Sequence, residues 1–133
     1  MVYPEGRPLE GLRILVVEDE YAVAADMTWW LQDSGAEVVG PAPTITDALT
    51  LVTAQGVTLD RAVLDVNLRG EKVFPVADAL VNRAIPFIFA TGYEDAMLPS
   101  AYAAVPRLIK PLDRATLLAA VASAASKEHR LPT

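Results

Sequence analysis

The sequence predicts an α/β fold, a doubly wound five-stranded parallel sheet with helices on both faces. Three observations carry this. Short apolar runs alternate with longer stretches rich in alanine, leucine and charge, the pattern of βαβ units. The runs "ILVV" and "FIFA" are apolar without interruption, as in strands covered on both sides. Polar residues, several of them acids, follow those runs, at the strand ends where such sheets carry their ligands.

Taken in order, the strands are "RILVVE", "AEVVGPA", "RAVLDVN", "PFIFAT" and "RLIK". Between and after them, "YAVAADMTWWLQDSG", "TITDALTLVTAQG", "FPVADALVNRA" and "DRATLLAAVASAASKEH" have helical spacing. Gly35 and Gly56 follow helical patterns, where a C-terminal cap favours glycine. Thr44 and Thr46 precede the second helix and Asp113 the last, and all three suit an N-cap. Pro86 opens its strand rather than interrupting it. Between Thr91 and Lys110 the chain carries Pro99 and Pro106, so a fourth helix there is expected to be short or irregular.

Adjacent helical residues point about 100° apart, so Trp29 and Trp30 cannot both face the core. Trp30 is expected inside with Val23 and Met27. Trp29 is expected half-buried over a neighbouring helix, with a partner anchor as the rival role. His129 stands in a polar tail and is expected to be solvated.

The 133 residues, 53% hydrophobic, match one ordinary domain with no linker or repeat, its core at about residues 11–125. A net charge of −6, with 11 basic residues spread along the chain, argues against nucleic-acid binding. No cysteine is present, which excludes disulfides and thiolate metal sites and fits a reducing compartment. No apolar stretch approaches the roughly 20 residues needed to span a bilayer. A cytoplasmic protein without membrane contact is expected.

The strand ends hold the chemistry. Glu18 and Asp19 end the first strand, Asp65 the third with Asn67 beyond it, Thr91 the fourth, and Lys110 with Pro111 the fifth. Two carboxylates about 4 Å apart repel by roughly 4 kcal/mol at an effective dielectric near 20. Three of them beside one lysine therefore call for a cation, and oxygen ligands of this kind suit Mg²⁺. A carboxylate can also act as a nucleophile towards phosphorus, and Asp65, alone at the end of a central strand, is the best placed. Glu18 and Asp19 would hold the metal, with Asn67 offering its main-chain carbonyl. Glu20 reads as a solvated acid of the first helical turn.

These residues resemble a known family. "LVVEDE", "LDVN", "FATG" and "LIKP", in that order and at those strand ends, are similar to the CheY-like receiver domain of two-component response regulators, a flavodoxin-like fold. The resemblance runs roughly from Gly11 to Ala125. It implies that Asp65 accepts a phosphoryl group from a histidine kinase or phosphotransfer protein, with Thr91 as the switch hydroxyl and Lys110 paired to the phosphoryl group. "DVNLRGE", "VFPVADAL" and "PFIFATGY" further resemble FATGUY-type receivers, which often stand alone and are associated with kinases of the HWE or related families.

Two departures stand out. Arg69 lies four residues after Asp65, where receivers commonly have proline. Arg107 lies three before Lys110, where they usually have a mobile aromatic. Tyr93 is the candidate to replace that aromatic or to shield the acyl phosphate. Phosphorylation is expected to order residues 92–107. The implied role is signalling through protein contacts rather than metabolism. Its rivals are a module of a hybrid kinase or longer regulator, a pseudo-receiver that works without phosphorylation, and a Mg²⁺-dependent phosphatase with an aspartyl nucleophile. The phosphatase is disfavoured because Asn67 stands where its general acid would be.

Overall fold

A computed structural model describes residues 8–92 and 98–128, the last four by main chain alone. In chain order the elements are β1 (Arg13–Val17), α1 (Tyr21–Asp33), β2 (Glu37–Ala42), α2 (Ile45–Thr53), β3 (Arg61–Asp65), β4 (Asn67–Leu68), β5 (Glu71–Lys72), α3 (Phe74–Asn82), β6 (Phe87–Thr91), β7 (Arg107–Ile109) and α4 (Arg114–Glu128). Five strands form one parallel sheet in the order β2-β1-β3-β6-β7, and β4 and β5 form a small antiparallel hairpin.

Successive side chains of a strand point to opposite faces, and here that alternation sorts the core in two. Leu15, Val17, Leu64, Phe87 and Phe89 pack towards α2 and α3, against Ala48, Val52, Val76 and Leu80. Ile14, Val16, Val63, Ile88 and Ala90 pack on the other side against Met27 and Leu31 of α1 and Leu117 and Val121 of α4. The uninterrupted runs in the sequence are thus strands buried on both faces. The edge strands β2 and β7 are largely exposed or half-buried. Beyond the expected limits, Leu9 is also buried in the core.

Helix ends follow local chemistry. Thr44 caps α2, its Oγ1 accepting from the Asp47 N–H at 3.0 Å. Thr46 lies inside that helix and is no cap, a correction to the sequence reading. Asp113 accepts from the Thr116 N–H at 2.8 Å, and this bond holds its carboxyl below the ordinary value. Gly35 closes α1 at φ +97°: its N–H donates to Gln32 and the Ala36 N–H to Leu31, the paired bonds of a Schellman cap. Gly56 sits two residues past the Ala54 cap of α2. Ala84 closes α3 with the same two bonds, to Val81 and Leu80, at φ +58°.

Between β6 and β7 the described residues contain a single 3₁₀ turn, Ser100–Tyr102, in place of a regular helix. Tyr102 fastens it. Its ring is buried, stacked on Phe74 at 5.5 Å and edge-on to Phe89 at 5.8 Å, and its hydroxyl donates to the Asp78 carboxylate. On α1, Trp30 joins the core while Trp29 is 67% exposed, well beyond the half-burial expected of it.

The two Schellman caps give opposite expectations. Ala84→Gly relieves the left-handed strain and raises unfolding stability by about 0.5–1 kcal/mol. Gly35→Ala lowers it by about 1–3 kcal/mol, because its Cβ would lie 2.8 Å from the Glu10 Cα in an already unfavourable backbone region. Urea unfolding midpoints of the two variants against wild type check both signs.

Candidate functional site

The parallel register brings the carboxyl ends of β1, β3, β6 and β7 to one edge. Val17 pairs with Leu64, Asp65 with Ala90, and Thr91 with Ile109. Glu18, Asp65, Thr91 and Lys110 therefore arrive together. Glu18, Asp65 and Thr91 are buried polar residues, at 1%, 4% and 0% exposure. The Lys110 N–H donates to the Thr91 carbonyl at 2.9 Å, which ties β7 to the end of β6 at the site.

Lys110 is the electrostatic centre. Its Nζ lies 2.8 Å from Glu18 Oε1, 3.1 Å from Glu20 Oε1 and 3.2 Å from Asp65 Oδ2. Carboxylate oxygens of Glu18, Asp19 and Asp65 all fall within 4.8 Å of one another. Such a set of hard oxygen donors, carrying more negative charge than one lysine neutralises, fits a divalent cation. Asp19 Oδ2 also accepts from the Arg69 N–H at 3.1 Å, Asp65 Oδ1 from the Asn67 N–H at 3.3 Å, and Asn67 Oδ1 from the Gly70 N–H at 2.8 Å. The hairpin β4–β5 is thereby fastened over the site. Between it and Lys110 lies a cavity of about 330 Å³, with Asp65 and Gly92 in its wall and Glu20 and Arg69 at its rim.

Burial, reinforced by the neighbouring Glu18 charge, pushes the Asp65 carboxyl up to about 7. Burial alone would lower Lys110, but its contacts with Glu18 and Asp65 outweigh that and hold the ammonium above its ordinary value.

A family model for the response regulator receiver domain matches residues 14–122. The chain belongs to this family. The receiver is 43% identical to SdrG from Sphingomonas melonis Fr1, whose solution structure aligns over 83% of this chain and 95% of that one with a TM-score of 0.72. It is 26% identical to the response regulator PhyR from Brucella abortus, with a TM-score of 0.77, over 94% of the receiver and 51% of that longer chain. A receiver domain protein from Clostridium thermocellum shares the fold at 21% identity, with a TM-score of 0.74 over 91% of this chain and 99% of that one. No curated protein sequence matches the receiver.

Of the residues singled out in the sequence, Glu18, Asp19, Asp65, Asn67, Thr91 and Lys110 converge in the receiver at this edge. Arg107 does not: it is exposed on β7, paired in register with Phe89, and lines no part of the cavity. Tyr93 lies outside the described residues, as does His129. Glu20 is solvent-exposed, as expected, and stands outside the three-carboxylate cluster, but its carboxylate also reaches Lys110 at 3.1 Å, a contact the sequence did not show. It is the N-cap residue of α1 with no side-chain capping bond, so its carboxylate is free to turn towards Lys110. Arg69 was legible only as a missing proline, yet the x-Gly pair "RG" after a short apolar run is a turn signal. Tyr102 was hidden in the proline-broken stretch, where no periodicity marks a buried aromatic.

The raised Asp65 value fixes a pH dependence. Between its unfolded value of 3.8 and about 7 the folded receiver holds a proton that the unfolded chain lacks. This contribution to stability is full below 3.8 and lost as pH rises through about 7. Lys110 stays protonated throughout that window. Without divalent ions, Asp65→Asn should gain on wild type by about 1–2 kcal/mol between pH ~5 and pH ~8, after allowance for screening. Thermal unfolding of both proteins across that range measures the divergence; parallel curves would contradict it.

Proposed function

We propose that the receiver accepts a phosphoryl group on Asp65 from a phosphohistidine of a histidine kinase or phosphotransfer protein, HWE-type kinases among the candidates. One observation carries this reading: the buried Asp65 carboxylate lies 3.2 Å from the Lys110 ammonium, within a cluster of three carboxylates at the end of a central strand. An Asp65 oxygen bonds to phosphorus as the P–N bond to the imidazole breaks, and the electron pair returns to the ring. Lys110 then faces the new phosphoryl oxygens, and Thr91 supplies a hydroxyl at the end of the adjacent strand. Asp19, Glu18 and Asp65, with the Asn67 main-chain carbonyl, would hold Mg²⁺, which when bound supplies charge neutralisation for the phosphoryl group.

The phosphorylated and free states differ in the arrangement of Thr91 and its loop, and protein partners read that difference. Among the described residues no helix is long and apolar enough to cross a membrane, in keeping with action in the cytoplasm. The PhyR alignment, in which the receiver spans about half of that protein, supports a second setting as one module of a longer regulator. A phosphatase role finds no support. Asn67, at the general-acid position, has no acidic proton, and its side-chain oxygen is engaged with the Gly70 N–H.

Incubation with Mg²⁺ and acetyl phosphate, followed by intact mass, is the test. Wild type should gain one phosphoryl group and Asp65→Asn none, while Lys110→Ala should gain it about a hundredfold more slowly. A wild type that stays unmodified with acetyl phosphate and with a panel of histidine kinases would overturn the reading.

A further inference from the structure

Arg69 occupies a position that the backbone makes costly for it. β4 and β5 are joined by two residues, and both have positive φ, 53° at Arg69 and 88° at Gly70. Turns of this kind prefer Asn, Asp or Gly at the first position, because a larger side chain is crowded there. Non-glycine residues held in this region cluster at functional sites. The turn is also held from two sides, by Asp19 through the Arg69 N–H and by Asn67 through the Gly70 N–H, and the Asn67 N–H is itself bonded to Asp65. The residue at its tip is therefore fixed relative to both Asp19 and Asp65. Arg69 is among the residues lining the cavity that holds Asp65 and Lys110, the adjoining groove beside α1, and a smaller pocket beside the start of α2.

The charges indicate what a cation there does. Glu18, Asp19, Glu20 and Asp65 surround Lys110, whose ammonium is already shared among three of them. With all four ionised the cluster carries three net negative charges, and a divalent ion would still leave one. Arg69 is the second cation lining the cavity; it is exposed and forms no ion pair among the described residues. We propose that Arg69 captures the phosphoryl group of the incoming donor, a dianion that this mouth otherwise repels, and sets it against Asp65. The planar guanidinium fork matches phosphoryl oxygens.

This assignment rests on Asp65 being the phosphoacceptor. With acetyl phosphate, one Asp65 carboxylate oxygen bonds to phosphorus, the bond from phosphorus to the acetyl oxygen breaks, and acetate leaves with the electron pair. No proton moves, and Arg69 acts as a specificity residue for the donor.

The test compares phosphorylation rates of wild type, Arg69→Gly and Arg69→Lys with sub-saturating acetyl phosphate and excess Mg²⁺, at low and high salt. Glycine removes the side chain and suits the turn, so Arg69→Gly should unfold at or above the wild-type temperature. Its rate should fall about tenfold at low salt, and the gap should narrow as salt screens the attraction. Arg69→Lys should recover most of the loss. A wild-type rate in Arg69→Gly, or a loss independent of salt and not recovered by lysine, overturns the assignment while leaving Asp65 as acceptor. A wild type that gains no phosphoryl group from any donor overturns the acceptor reading and this assignment with it.

Discussion

The arrangement of the receiver depends on one ammonium group. Lys110 Nζ lies within 3.2 Å of the carboxylates of Glu18 and Glu20, just beyond β1, and of Asp65 at the end of β3. Without it, burial of Glu18 and Asp65 side by side would leave two close negative charges out of water, at a cost of several kcal/mol each. The lysine reaches them because the Thr91 carbonyl binds its own N–H, so the pairing of the two strands that bear the hydroxyl and the ammonium also sets the charge balance. The sheet brings like charges together, and the fifth strand offsets part of what it has gathered.

That offset is incomplete. Burial, reinforced by the Glu18 charge, pushes the Asp65 carboxyl up to about 7, and the remaining negative charge makes the edge attractive to cations. A fully neutralised site would fold more stably and would have little reason to engage a metal or a phosphoryl group. The hairpin β4–β5 meets part of this imbalance with two main-chain donors, the Arg69 N–H facing Asp19 and the Asn67 N–H facing Asp65.

Much of this was legible in the sequence, for reasons that can be named. Buried central strands declare themselves by runs such as "ILVV" and "FIFA", and a parallel sheet fixes which end of each strand shares an edge, so Glu18, Asp65, Thr91 and Lys110 could be placed together without coordinates. Residues whose roles depend on side-chain direction in three dimensions were not legible. Glu20 reads in sequence as an ordinary solvated acid, and its place at the N-cap of α1 and its contact with Lys110 appear only in three dimensions. Tyr102 is buried because α3 and β6 present Phe74 and Phe89 to it, and neither neighbour is near it in sequence. Trp29 went wrong in the other direction, since an aromatic beside a core position is not thereby covered. Thr46 looked like Thr44 as a cap, and only the position of the first helical residue separates them.

The β2 strand has a further consequence for how molecules of this protein meet one another. Its pairing with β1 slips by one residue between Val39 and Ala42, where Gly40 and Pro41 intervene, and proline offers no N–H. The opposite margin of the sheet, β7, is three residues long. Unpaired strand margins are templates onto which another chain can add a strand. Here one margin is kinked and short of a donor and the other is too brief to nucleate pairing, so the sheet resists growth by edge-to-edge stacking. The two outermost strands, one irregular and one three residues long, thus offer little template for a further strand.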